Sequence, residues 1–249
     1  MKNEVPSEKT WLAFAEGLRP LGLGIFAKSD VKITEDGKGD LRILSLMLLA
    51  RTLSNLKAAL ILLREKQIVE ARAVARLCYE NQYWVLALLK DGTKFRDDMV
   101  KDEMKRKRMH SQELFKTGEL NDEMETNLRA WMREHSEYHV AETLNPKGVA
   151  YRAKNESYLF YQHLSWDAHP SIETLNRYFM EPDKHGSPGI DVEPPLQADE
   201  VIATLNLLCL PVLGVLLGVG ELLAYATPPV EIQNAASEYK RLTELTGTF

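Results

Sequence analysis

Cysteine is nearly absent from this chain. Cys78 and Cys209 are the only two in 249 residues. Each lies in an apolar run of helical character, so they read as buried thiols in a reducing compartment. No Gly-rich phosphate loop, no CxxC pair and no HExxH occurs, and with them go the usual sequence signs of nucleotide, redox and zinc chemistry. No motif asks for a cofactor, and none is expected. The first thirty residues have no basic-then-apolar leader with a cleavage site. A cytoplasmic protein is therefore expected. No strand pattern, internal repeat or low-complexity tract is present. The net charge of −5 argues against a general nucleic-acid coat, which would be basic overall.

What is present is helical periodicity. Leu46, Leu49, Leu53, Leu56, Leu60 and Leu63 recur at alternating steps of three and four, which puts six leucines on one narrow stripe. Glu65-Lys66-Gln67 breaks the run. A second run follows through Ile68, Ala71, Ala75, Cys78, Gln82, Val85 and Leu89. Two long apolar-faced helices on so short a link must fold back antiparallel. The spacing predicts an all-α, single-domain bundle of seven to nine helices over residues 1–249, built around this hairpin.

Around the hairpin the signals are mixed. Ser7, Asp40, Asn121 and Ser171 are placed to cap helices. Pro20, Gly22 and Gly24 predict the end of a short first helix. Residues 94–117 are strongly polar and hold the charged run Lys101 to Arg108, which reads as a solvated helix face. Asn121 opens a helix expected to run through Tyr138. Tyr151 to Asp167 reads as one aromatic helix, and residues 181–198 as a long Pro/Gly loop. The apolar segment 199–226 contains an uncharged run, Val201 to Gly220, long enough to span a bilayer. Acidic flanks without Lys or Arg favour a core helix instead. Gly214 and Gly218 would let a neighbour approach closely.

Several groups could carry chemistry. Arg72, Arg76 and Glu80 sit four apart on a helix that is apolar nearly all round, where charges need partners. Tyr161, Ser165 and His169 form a second polar series at the same spacing, before Pro170. Ser165 beside His169 suggests a nucleophile and base, but no G-x-S-x-G elbow accompanies them. His135, His139 and Glu142 would suit a divalent metal if one helix carried all three. Arg129 to His135 and Arg133 to His139 each match Arg, five residues, His. That pattern resembles the signature of HEPN-type helical ribonucleases, in which Arg would stabilise phosphate charge and His would move a proton.

The pair R-x3-E at Arg76 to Glu80, followed by Tyr161-x3-Ser165-x3-His169-Pro170-Ser171, resembles a bacterial helical family known only as a domain of unknown function. The resemblance covers roughly residues 45–180. It implies an all-helical, bacterial, cytoplasmic protein and brings no activity with it. From the residues, the favoured function is binding of a protein partner or a small anionic ligand at a polar centre of Arg72, Arg76, Glu80, Tyr161, Ser165 and His169. The alternatives are a metal-independent ribonuclease on Arg129, Arg133, His135 and His139, and a metal-dependent hydrolase on His135, His139 and Glu142. A homodimer is one assembly the sequence allows.

Overall fold

The computed structural model describes residues 5–32, 35, 37–182, 188–194, 196, 198–224 and 229–247. Among them are ten α-helices: α1 (Glu8–Lys28), α2 (Leu41–Arg64), α3 (Ile68–Asp91), α4 (Thr93–Thr117), α5 (Asp122–Glu134), α6 (Pro146–Arg152), α7 (Tyr158–Asp167), α8 (Ile172–Asn176), α9 (Ala198–Leu222) and α10 (Val230–Thr246). A two-residue antiparallel ladder pairs β1 (Phe179–Met180) with β2 (Gly189–Ile190). The fold is all-α, with one helix more than the seven to nine that the periodicity predicts. Tyr151 to Asp167 is two helices and not one. Lys154 adopts a positive φ of 54°, which closes α6 before α7 begins.

The hairpin α2–α3 is formed as expected. Lys66, at φ 60°, sits in the left-handed region at the end of α2. Lys66 N–H donates to the Leu63 carbonyl and Gln67 N–H to the Leu62 carbonyl, the pairing that closes a helix with a left-handed residue. Asn81 donates to the Thr52 hydroxyl at 3.0 Å inside the hairpin, which fixes its register with a buried polar pair. All four expected N-caps accept from the first helical turn: Ser7, Asp40, Asn121 and Ser171.

Helix α9 packs against α3, α2 and α1, and α10 against α9 and α1. Gly214 and Gly218 make the α3 contact possible. A Cβ at Gly214 would fall 2.1 Å from Gln82 Nε2, and one at Gly218 would fall 2.6 Å from Val85 Cγ1. Among the described residues two helices are long and apolar enough to cross a membrane, Leu41–Arg64 and Asp199–Leu222; 72% of the most apolar window of the latter is buried inside the molecule. That is the environment of a core helix. The segment expected as 199–226 forms α9 as far as Leu222; residues 225 and 226 lie outside the described residues, as does much of the loop read over 181–198.

Helix α1 corrects the sequence reading. Pro20, Gly22 and Gly24 do not end it, and it runs on to Lys28 with Pro20 on its exposed side. Tertiary packing outweighs propensity here. Trp11, Ala15, Leu18, Gly22 and Ile25 keep the period of three and four and are all buried. Gly22 leaves room for Leu53, whose Cδ2 would lie 2.6 Å from an added Cβ.

The core stores unionised acids. Burial pushes the Cys78 thiol up to about 12. It also raises Cys209, Tyr79, Tyr83 and Tyr239. Unfolding returns thiols and phenols to ordinary values of 9.0 and 10.0, so above those values the unfolded chain sheds protons that the folded chain retains. This contribution to stability is complete below about pH 8 and is lost as pH rises toward about 12. Urea midpoints measured from pH 7 upward are expected to stay level and then fall beyond about pH 9. A level midpoint to pH 11 would contradict the burial of these groups.

Candidate functional site

Helix α3 carries two charged groups one turn apart, and the fold gives them different surroundings. Arg72 is buried. Its Nε donates to the Thr204 hydroxyl at 3.0 Å, and its NH1 lies 3.0 Å from Asp167 Oδ2 and 3.6 Å from Glu200 Oε1. Arg177 pairs with Glu200 and stands 4.0 Å from Asp167 Oδ1. Two cations and two anions thus neutralise each other at the junction of α3, α7, α9 and the end of α8. Side-chain exposures of 9% for Arg72, 8% for Asp167 and 13% for Glu200 leave little room for a ligand. This group is a structural lock.

Arg76 is different, because it borders an open cleft of about 470 Å³ between α2, α3, α4 and the start of α6. Its NH1 donates to the Tyr161 hydroxyl and lies 3.1 Å from Glu80 Oε1. The Tyr161 hydroxyl donates to the same Glu80 oxygen at 3.3 Å, and the guanidinium carbon stands 5.1 Å from the Tyr161 ring centre. Burial raises the Tyr161 phenol, Arg76 opposes it and Glu80 reinforces it. The phenol is therefore a neutral donor at ordinary pH.

Three guanidiniums line the cleft, those of Arg51, Arg76 and Arg106, with the carboxylates of Glu80 and Asp102 and the rings of Trp84 and Tyr161. Both carboxylates are engaged. Glu80 holds Arg76 and Tyr161, while Asp102 accepts from Arg106 Nε at 2.8 Å and from Leu144 N–H at 2.9 Å. Arg106 also donates to the Leu144 carbonyl at 2.7 Å. Arg51 has no ion-pair or hydrogen-bond partner among the described residues. The Arg76 Nε–H is buried and likewise has no partner. The cleft therefore carries one positive charge in excess, in a chain whose net charge is −5.

The polar centre expected from the sequence is only partly assembled. Arg76, Glu80 and Tyr161 come together; Arg72 belongs to the separate lock. Ser165 stands at the edge. Its hydroxyl donates to the Tyr161 carbonyl at 2.7 Å, which is a bond within the helix and not the activation of a nucleophile. His169 is not part of the group. Helix α7 ends at Asp167, and His169 lies exposed in the following turn. The residue before Pro170 is disfavoured in helical conformation, so the spacing of four fails at its last step.

The alternative sites are also rearranged. Helix α5 ends at Glu134, His135 caps it, and His139 lies in a 3-10 segment, Ser136–Val140. His135, His139 and Glu142 therefore share no α-helical face, and no group of three or more His, Cys, Asp or Glu side chains among the described residues is placed to hold a metal ion. Arg129 pairs with Glu125 and lies over the Phe115 ring. The His135 ring packs on Trp131 and Tyr138, while Arg133 and His139 are exposed.

Sequence reasoning missed Asp167, Glu200, Arg177, Thr204, Arg51, Asp102 and Arg106. Arg51 carried a usable signal. It is one of only two charges between Ile43 and Leu63, and a charge in so apolar a helix marks a polar site. Asp102 and Arg106 pair four apart inside the charged run of α4, which reads as a solvated helix face; Asp167, Glu200, Arg177 and Thr204 gave none, because their partners lie far along the chain.

Comparison with known proteins adds a family and no activity. The sequence model of a family of unknown function, DUF5677, matches residues 42–186, which is more than half of the chain. No curated protein matches it, and no solved structure does.

Proposed function

We propose a function for this chain, which belongs to the DUF5677 family, from the chemistry of its cleft: it binds a small organic anion beside Arg76. The observation that carries the reading is Arg51, an exposed guanidinium without a hydrogen-bond or ion-pair partner among the described residues, in a cleft whose carboxylates are both already paired. A volume of about 470 Å³ falls in the range of small-molecule sites. Half-buried Trp84 lines the cleft where the organic part of the ligand would lie, and the guanidiniums suit a carboxylate or phosphate head. The reading keeps the chain in the cytoplasm, where two reduced thiols persist.

Calorimetric titration with inorganic phosphate, phenyl phosphate and benzoate tests it. Phenyl phosphate is expected to bind with saturation and more tightly than phosphate alone. Arg51→Gln removes one charged hydrogen bond of about 1.5–3 kcal/mol and is expected to weaken binding roughly 10- to 100-fold. Absence of saturable binding by all three probes would contradict the proposal.

A further inference from the structure

Residues 119–144 are held to α4 mainly by bonds that water can replace. They contain α5 and the 3-10 segment Ser136–Val140, and neither element has a buried residue. All of residues 119–144 are described, and of their apolar side chains Leu144 alone packs against the core. Long side chains of α4 supply most of the remaining hold, and they reach backbone groups. Lys105 donates to the Ala141 carbonyl, Arg108 to those of Met132 and His135, and Arg106 to that of Leu144 at 2.7 Å. Asp102 accepts from Leu144 N–H at 2.9 Å. Arg129 of α5 also lies over the Phe115 ring of α4. A segment with so few buried apolar contacts opens at the low end of a protein's stability range.

Both ends of the segment are built to stop or start a motion. Gly118 closes α4 at φ 68°, in the left-handed region, with open space where a Cβ would stand. At the other end Asn145 caps α6 and Pro146 opens it, and buried Val149 and Ala150 anchor that helix. The anchored end also borders the cleft, because Leu144, Asp102 and Arg106 all line it. The bonds that hold Leu144 to α4 are therefore bonds of the cleft wall. We propose that residues 119–144 are a flap that lifts off α4 as one unit, with Asp102 and Arg106 as its latch, so that Leu144 gives the cleft a movable wall. A ligand in the cleft meets that wall only while the flap is down, so it stabilises the closed state by mass action. The ligand's part in this rests on the anion reading above; the opening of the flap does not.

Hydrogen exchange on the full chain, followed amide by amide, tests this. In the free protein the protected amides of residues 124–144 are expected to share one opening equilibrium and to exchange ahead of α3. Asp102→Ala removes the acceptor of Leu144 N–H and the partner of Arg106. It is expected to speed all of these amides together about tenfold, the effect of one hydrogen bond to a charged group, with α3 and α9 unchanged. Asp102→Asn keeps an acceptor for Leu144 N–H, and its effect is expected to fall between. Saturating phenyl phosphate is expected to slow the same amides together. An Asp102→Ala effect confined to the neighbours of Leu144 would overturn the inference, as would α5 amides exchanging no faster than those of α3. Calorimetric binding of phenyl phosphate that leaves the exchange of the flap unchanged would overturn it too. If phenyl phosphate does not bind, the anion reading falls, and the exchange pattern of the free protein still decides the flap.

Discussion

Arg72→Ala is expected to destabilise the protein by about 3–5 kcal/mol, because it breaks a buried charge network from one side. Asp167 and Glu200, at side-chain exposures of 8% and 13%, would be left sharing Arg177 alone. Thr204 would also lose the guanidinium at 3.0 Å. Removing all four charges at once with apolar residues of similar volume is expected to harm less than removing Arg72 alone, since the cost lies in stranding buried ions and not in losing attraction. Urea unfolding measures both. Arg76→Gln serves as the contrast. Arg76 lies at a cleft with 20% of its side chain exposed, so water can replace it, and the expected change is smaller.

Trp11→Ala is expected to cost about 3–5 kcal/mol, the range for a large aromatic removed from a closed core. Trp11 is completely buried. Its ring meets Phe14 and Tyr239 edge-on at centroid distances of 6.2 and 6.0 Å. Both Trp11 and Tyr239 lie outside the residues matched by the family, 42–186, as do the whole of α1, α9 and α10. The expected loss therefore tests whether those helices share one cooperative unit with the matched region. Thermal unfolding by tryptophan fluorescence and by circular dichroism should move together. Unfolding of α1 alone, with the remainder unchanged, would show that the outer helices are dispensable.

The hairpin was legible because its signal is local. Six leucines on one stripe and a three-residue link leave a single way to fold. The close approach at Gly214 and Gly218 was legible for the same reason, as two small residues four apart on an apolar helix. The Arg76, Glu80 and Tyr161 group was partly legible, since charges on an all-apolar helix demand partners and Tyr161 was the nearest aromatic donor in a polar series. What failed were helix ends. His169 and His139 were placed by extending a period of 3.6 past the residues where the helix stops, and a turn rotates every later side chain away from the expected face. Long-range partners failed for another reason. Asp167 lies 95 residues from Arg72, Thr204 lies 132, and no local pattern joins them. Glu200 read as a flank of an apolar run, which says what it borders and not what it meets. Pro20 misled in the opposite direction: propensity ended α1, while packing against Leu53 and α9 carried it through.

Side-chain nuclear magnetic resonance separates the proposed anion-binding role of Arg76 and Arg51 from the structural role of Arg72 directly. Phenyl phosphate is titrated into protein with labelled arginine and tryptophan, at constant ionic strength with chloride as the control. The account predicts a saturable shift of the Arg76 Nε–H and of the Trp84 indole, reduced in Arg51→Gln, with the Arg72 Nε–H unmoved against Thr204. An unmoved Arg76 Nε–H across the titration, or a shift confined to Arg72, would contradict it.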